Sequence, residues 1–569
     1  MKKIKFARLY TNEGKDITSQ AWDAYPRPQM KRDSFFSLNG PWELRTGEGK
    51  KEIINVPFPP ESILSGICRS MGKYPVLYYR KVFTLPKDFI KDRVLLHFGA
   101  VDQYARVKLN GTLIGEHRGG YEPFTFDITD KLLERNLLEV EASDELENHV
   151  LPYGKQRRKR GGMWYTPISG IWQSVWLESV CENYVKSLKI DVGVNYVEIK
   201  ADAPDGTIIV KAPHTRSEHE FKNGHAHIKI KNPRLWSPED PYLYKFVLRA
   251  GDDEVESYFA MRTLEIQDVD GRKRLCLNGK PYFFHGLLDQ GYYSDGIYLP
   301  ASPESYTKDI MLAKSMGFNT LRKHIKIEPE YFYYECDRLG MIVFQDMVNN
   351  GKYSFFKDTV LPTIGFKRLP DTWRRRAVKK AFVSEMKKTV NQLYNHPCIC
   401  YWTIFNEGWG QFDADEMYEQ LRRLDHSRFI DTTSGWFKKK ESDVDSMHVY
   451  FKPVKLKPSK KPIVLSEFGG YSYNVADHVY NPNKTYGYKK FESKEAFEND
   501  LIKLYEEQIV PNIANGLCAS IYTQLSDVED ETNGIMTYDR KVCKADGDEL
   551  RSIALKLQKA VQKRKGRRK

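Results

Sequence analysis

From about residue 267 the sequence alternates between short apolar segments and helical stretches, and that rhythm constrains the fold more than any other feature. The apolar segments are 282–285, 319–322, 341–344, 398–405, 429–431, 447–450, 463–466 and 519–523. Helical patterns cover 303–315, 328–339 and 371–394. Eight strands alternating with helices over about 250 residues have the size and rhythm of a (β/α)8 TIM barrel. The alternative is an open doubly wound sheet. No Gly-x-Gly-x-x-Gly follows any of these strands, so a dinucleotide-binding version has no support.

The residues before 267 read as β. Segment 101–109 is strand-like, Asn110-Gly111 is a hairpin signal, and 112–116, 124–128, 137–142 and 169–178 continue as short alternating strands. Many short strands with polar turns predict a sandwich or jelly roll. Segments 185–192, 206–211, 225–230 and 244–249 then form a smaller β unit of immunoglobulin-like size without a cysteine pair. The expected division is therefore 1–183, 184–266 and 267–562, with a basic tail at 563–569. A chain of 569 residues is too long for one hydrophobic core.

Charge narrows the function classes. The formal net charge is +13, but six of the last seven residues are Lys or Arg, leaving +7 on the rest. The tail reads as a solvated end, and no zinc spacing or RNA-binding signature points to nucleic acid. The N-terminal MKKIKFARLYTNEGK has no apolar run behind its charges, unlike a signal peptide. No stretch reaches the ~18 apolar residues of a transmembrane helix. The eight cysteines lack Cys-x-x-Cys spacing, and Cys398 and Cys400 read as small buried hydrophobes. These readings predict a reduced, cytoplasmic protein without a membrane partner. Aromatic content is 13%, with 35 Tyr and 10 Trp; sugar clefts use such rings, although β cores use more of them.

Catalytic groups of a (β/α)8 barrel sit where strands end on the C-terminal face. Strand four runs into Asn406-Glu407-Gly408-Trp409-Gly410, and strand seven into Ser466-Glu467-Phe468-Gly469-Gly470. Each apolar strand thus delivers one glutamate to the same rim. Cleavage of a β-glycoside needs such a pair. One carboxyl, kept protonated by its partner's charge, gives a proton to the leaving oxygen, and the other attacks the anomeric carbon. A separation of about 5–5.5 Å means retention and a wider one inversion. A lone Glu after a strand is usually a surface residue or helix cap; two at the ends of two such strands are not so easily dismissed.

Several motifs resemble glycoside hydrolase family 2, which includes β-galactosidases, β-glucuronidases and β-mannosidases. Pro26-Arg27-Pro28-Gln29, Ser37-Leu38-Asn39-Gly40-Pro41-Trp42, Gly120-Tyr121-Glu122-Pro123-Phe124 and Gly170-Ile171-Trp172 through Leu177-Glu178 resemble the family's jelly-roll sugar-binding domain. The middle segment matches the immunoglobulin-like domain by position and size. In the barrel, Asn319-Thr320-Leu321-Arg322-Lys323-His324, Asn395-His396-Pro397 with Asn406-Glu407, and Ser466-Glu467-Phe468-Gly469 resemble the second-strand, acid/base and nucleophile segments.

The resemblance implies roles: Glu407 as acid/base, Glu467 as nucleophile, Asn406 on the sugar 2-hydroxyl, Tyr450 on the nucleophile, and His324 lining the subsite, where a satisfied buried histidine is the alternative. Arg322 is expected to hold the nucleophile's carboxylate through a charge-assisted hydrogen bond. Asp289, Asp346 and Asp527 lie near strand ends; each is a candidate for sugar hydroxyls, with Asp346 also a candidate to support the site from behind, or a cap for the following helix. Trp409 is expected to wall the pocket, and Trp402 to be core.

Departures touch the sugar more than the reaction. Strand one ends His285-Gly286-Leu287-Leu288-Asp289-Gln290, without the Asn-Arg-His-Glu type segment of many β-galactosidases. Strand eight ends Tyr522-Thr523-Gln524-Leu525-Ser526-Asp527, where many members place a Trp. Asn481-Pro482-Asn483-Lys484 lacks the Asn-x-Lys spacing of β-glucuronidases, leaving other basic residues, such as Lys323, to serve a uronate. The expected function is a retaining, exo-acting β-glycosidase of an oligosaccharide or glycoconjugate, β-galactosidase-like, with β-glucuronidase or β-mannosidase as alternatives. A non-catalytic carbohydrate-binding homologue is the reading from another class. No cofactor or metal site is expected, and a homo-oligomer is possible.

Overall fold

A computed structural model describes residues 8–563 apart from 18–21, 48, 213–214, 362–363, 365 and 367–374. The expected basic tail lies outside the described residues but for Lys563, as do the first seven residues of the N-terminal segment.

The first β unit packs a six-stranded sheet on a four-stranded one. Trp42, Leu44, Tyr79, Val107 and Val140 from the larger sheet share a core with Val94, Leu96, Phe98 and Leu177 from the smaller. Strand Asn136–Ser143 shows why: Leu138, Val140 and Ala142 turn inward while alternate residues stay half-buried. Asn110 and Gly111 take φ of 51° and 80°, the tight-turn geometry that joins Tyr104–Leu109 to Thr112–Arg118. The expected single strand over 169–178 is instead two, Gly170–Ile171 and Val175–Val180, in different sheets. Trp172 breaks the run by turning inward, its Nε1 donating to the Gly120 carbonyl at 2.8 Å.

The second β unit has a three-stranded and a four-stranded sheet around Ile199, Ile208, Phe246, Leu248 and Phe259. Three of its strands, Tyr196–Asp202, Thr215–Phe221 and Asp253–Phe259, had no counterpart in the sequence reading. Arg32 ties the two units together, lying 3.0 Å from Glu178 and 2.8 Å from Asp253.

Eight parallel strands follow: β1 Phe284–Asp289, β2 Thr320–Lys323, β3 Ile342–Asp346, β4 Ile399–Asn406, β5 Phe429–Ser434, β6 Asp445–Val449, β7 Ile463–Gly469 and β8 Leu517–Thr523. Seven of the eight seams are paired in one ladder, with β1 beside β8. At the eighth, β5 and β6 are joined by side chains: Ser446 Oγ donates to Asp431 Oδ1 at 2.9 Å, and Ser434 Oγ lies 3.2 Å from His448 Nε2. Seven of the eight strands are buried along their length, as a barrel wrapped by helices requires. Strand β1 starts two residues later than expected because Tyr282 and Phe283 bond outward, to Glu239 and Gln558. Helices Glu304–Ser315 and Glu330–Leu339 match the predicted ones within two residues. The third is described over Arg376–Leu393; its expected start at Asp371 lies outside the described residues.

The stretch between about 150 and 168 leaves the first β unit and crosses the barrel mouth. The Tyr153 N–H donates to the Asn349 carbonyl at 3.1 Å, Arg160 pairs with Glu529 at 2.9 Å, and Tyr165 donates to Glu531.

Candidate active site

Strand β4 ends at Asn406, and Glu407 takes a φ of 54°, in the left-handed region that few residues other than glycine adopt. Its N–H donates to the Ser434 carbonyl at 2.9 Å, fixing the turn to β5. Gly408 follows because any Cβ there would stand 2.2 Å from the Phe437 ring. The Glu407 side chain opens into a cavity of about 780 Å³. Its walls carry Trp164, Tyr353, Trp436, Tyr450, Tyr486 and Tyr488, with Arg157 and Lys452 as cations and Phe355 and Phe451 at the rim. Phe451 is 78% exposed and Phe355 65%.

Glu467 lies within β7 and is almost wholly covered. Arg322 Nη1 donates to its Oε1 at 3.0 Å, and the Tyr450 hydroxyl donates to Oε2. Burial pushes the Glu467 carboxyl up. The neighbouring His448, Arg322 and His324, with the Tyr450 hydrogen bond, outweigh it and hold the group at about 2. Glu467 is therefore ionised at neutral pH.

The two glutamates meet at His448, which sequence reasoning missed. His448 Nδ1 lies 2.7 Å from Glu407 Oε1, and Nε2 lies 3.5 Å from Glu467 Oε1. One side-chain atom from each of Glu407, His448 and Glu467 falls within 4.8 Å of the other two. Among the described residues these form the one group of three or more His, Cys, Asp or Glu close enough to share a metal ion. The sequence did carry a signal. His448 and Tyr450 are two apart along one strand direction, so once Tyr450 is placed at the mouth, His448 falls on the same face.

Arg322 organises the floor. Its Nε and Nη2 each lie 3.0 Å from an Asp346 oxygen, and Nη2 also donates to Asn406 Oδ1 at 2.8 Å. His324 Nδ1 lies 2.8 Å from Asp346 Oδ2, and burial pushes its imidazole below the usual range. Glu467, Arg322, Asp346, His324, Asn406 and Tyr450 thus form one connected network with Glu407 through His448.

Asp289, Lys323, Asp527, Trp409 and Trp402 sit apart from it. Asp289 accepts from Lys323 Nζ at 2.6 Å and from the Gly291 N–H at 2.8 Å. Lys323, named above as a base for a uronate, is buried and also bound to Glu328 at 2.8 Å. Asp527 is held by Lys544 at 2.6 Å, with burial lifting its carboxyl to about 6. Trp409 is buried behind the wall: its Nε1 donates to the Gly351 carbonyl at 3.1 Å, and its ring meets the edge of Trp164 at 5.1 Å. Trp402 is buried, donating to Asp425 at 2.8 Å. Trp164 and Arg157 were also missed; they come from the stretch that crosses the mouth, where no periodicity marks them.

All eight cysteines are free, and among the described residues no helix is long and apolar enough to cross a membrane. An ionised carboxylate, a second carboxyl within 5 Å and a walled cavity above them are the parts needed for double displacement at an anomeric carbon.

Three family descriptions match the chain: the TIM barrel domain of glycosyl hydrolases family 2 over residues 267–556, the galactose-binding domain-like region of glycosyl hydrolase 2 over 69–193, and glycosyl hydrolases family 2 over 185–262. A β-galactosidase of Thermoanaerobacter pseudethanolicus is 25% identical over 530 residues, covering 86% of this chain and 66% of that protein. A β-glucuronidase of Bacteroides fragilis is 25% identical over 413 residues, covering 65% of this chain and 56% of that one. The chain thus spans less than two thirds of these relatives. Among solved structures, a β-D-glucuronidase of Dictyoglomus thermophilum superimposes with a TM-score of 0.71 at 20% identity, over 95% of this chain and 98% of that one. A β-galacturonidase of Eisenbergiella tayi bound to galacturonate gives 0.67 at 19%, over 93% and 98%. At these identities the likeness is one of fold.

Proposed function

The chain belongs to glycoside hydrolase family 2, and on that premise we propose that it is a retaining, exo-acting β-glycosidase that removes a terminal β-linked sugar. One observation carries the reading: an oxygen of Glu407, at the cavity, lies within 4.8 Å of an oxygen of Glu467, which is held at about 2. That approach is close to the ~5–5.5 Å of retaining pairs and well short of the ~6.5–9.5 Å of inverting ones.

Glu467 attacks the anomeric carbon, forming an ester, while Glu407 gives its proton to the departing oxygen. Glu407 then takes a proton from water, the water oxygen bonds to the anomeric carbon, and the ester bond breaks with inversion a second time. Asn406 binds the sugar 2-hydroxyl, and its tie to Arg322 at 2.8 Å fixes the amide for that contact. Tyr450 steadies the Glu467 charge, and the aromatic walls stack on the apolar face of the sugar.

For the sugar, β-galactoside is the first reading, supported by the β-galactosidase relative that matches 86% of the chain. A β-glucuronide is the second, favoured by Arg157 and Lys452 in the cavity wall, which suit a carboxylate. The test is a panel of 4-nitrophenyl β-glycosides differing only in the sugar, with the product anomer followed by NMR. The β-galactoside is expected to turn over fastest and release the β-anomer first. A faster glucuronide selects the second reading. Release of the α-anomer, or no hydrolysis of any member, overturns the mechanism.

A further inference from the structure

His448 belongs to no step described so far, yet it touches both glutamates. Its ring is completely covered. It is seated against bare backbone: a Cβ on Gly435, where φ is +99°, would stand 2.8 Å from the ring. Trp436 closes the other side, edge-on at 6.1 Å. Such a seat fixes where both nitrogens point, Nδ1 at Glu407 and Nε2 toward Glu467 and Ser434. The charged groups around the ring are Glu407 after β4, Asp431 on β5, Glu467 on β7 and, beyond Glu467, Arg322 on β2; Tyr450 stands two residues along its own chain.

We propose that His448 is a positioning residue that ties the proton carried by Glu407 to the charge of Glu467. This rests on the roles given above to the two glutamates. One proton lies along the hydrogen bond between Glu407 Oε1 and His448 Nδ1, and Nε2–H faces Glu467. While Glu467 is an anion it favours positive charge on the imidazole, so the pair keeps its proton. When Glu467 bonds to the anomeric carbon its charge is gone. The pair's affinity for the proton falls as the leaving oxygen's rises, and the proton crosses through Glu407 as the glycosidic bond breaks. In the second step water attacks, the ester C–O bond breaks, Glu467 regains its charge, and the water's proton returns to the pair. Protons and charges balance over the cycle.

The experiment compares His448→Asn and His448→Phe with the wild type on phenyl and 2,4-dinitrophenyl β-glycosides of the preferred sugar, across pH. The phenyl glycoside needs full protonation of its leaving group; the dinitrophenyl one does not. For His448→Asn, kcat/KM on the phenyl glycoside is expected to fall about 100-fold and on the dinitrophenyl glycoside less than about 10-fold. The alkaline limb should move to lower pH. His448→Phe should behave alike. If either variant folds poorly, His448→Gln carries the same test. Equal losses on both substrates, or an alkaline limb that stays in place, overturn the role. Wild-type turnover separates the two ideas: if the wild type cleaves these glycosides and the limb stays, only the His448 role falls; if it cleaves neither, the glycosidase reading falls with it.

Discussion

Arg322 holds Glu467 and Asp346 with a single guanidinium, 3.0 Å from each carboxylate. A planar fork can span two carboxylates from one rigid group, and a lysine ammonium cannot. Arg322→Lys should therefore keep the charge but lose the geometry, with kcat/KM down about 100-fold. The pH dependence follows from the sign of the Glu467 shift. Arg322 helps hold Glu467 ionised down to about 2. A weaker hold raises that value, so the acid limb of kcat/KM should move to higher pH. An acid limb that stays in place, or moves lower, would argue against Arg322 as the support of the nucleophile.

Glu467→Gln removes the nucleophile but keeps its volume and one acceptor for Arg322. Turnover should fall at least about 1,000-fold while the thermal unfolding midpoint changes by a few degrees at most. A 2-deoxy-2-fluoro glycoside of the preferred sugar, incubated with the wild type, should add one sugar mass to the peptide containing Glu467. Label on Glu407 or elsewhere reverses or ends the assignment.

Glu407→Ala leaves an open slot above Glu467, since the side chain already faces the cavity. Glycosides with activated leaving groups should still form the glycosyl-enzyme, which then waits for a base. Sodium azide should enter the slot, restore turnover by about 10- to 100-fold, and leave a β-glycosyl azide as product. Failure of azide to accelerate the variant counts against Glu407 as the acid/base.

How much of this site was legible depended on whether a residue's neighbours in space were also its neighbours in sequence. Glu407 and Glu467 were readable because each follows a continuous apolar run, and Arg322 and His324 through the resemblance of 319–324 to the family's second-strand motif. His448 was not, because its meaning comes from the bare backbone of Gly435 and from two carboxylates on other strands. Trp164 and Arg157 were hidden for a similar reason: they reach the mouth from another β unit. The barrel was clear from its hydrophobic runs. Of the strands lost from the second β unit, Thr215–Phe221 holds a single apolar residue, Phe221, and Asp253–Phe259 opens on Asp253-Glu254, so neither shows a clear apolar alternation. The trailing carboxylate Asp289 shows the opposite error, since a strand-end position says nothing of the lysine already bound there.

Glu178 gives a prediction for stability that is independent of the chemistry. The carboxylate is wholly buried and accepts from Arg27, Arg32, Tyr25 and Trp176. Burial raises its proton affinity, but the charges of Arg27 and Arg32 outweigh that and hold it well below the usual carboxylate range. A carboxyl lowered in the folded state stabilises above its unfolded value of about 4.3, and the contribution is lost as pH falls toward the folded value. Glu178→Gln leaves two arginines buried without their shared anion, which should cost about 3–5 kcal/mol at pH 7. The gap between wild type and variant, read from urea unfolding, should be the same at pH 7 and pH 5.5. It should narrow at pH 3.5, because only the wild type has a carboxylate to protonate. A gap that widens on acidification would mean that Glu178 is not the anion holding Arg27 and Arg32, and that the tie from the N-terminal segment through Arg32 to Asp253 bears the load instead.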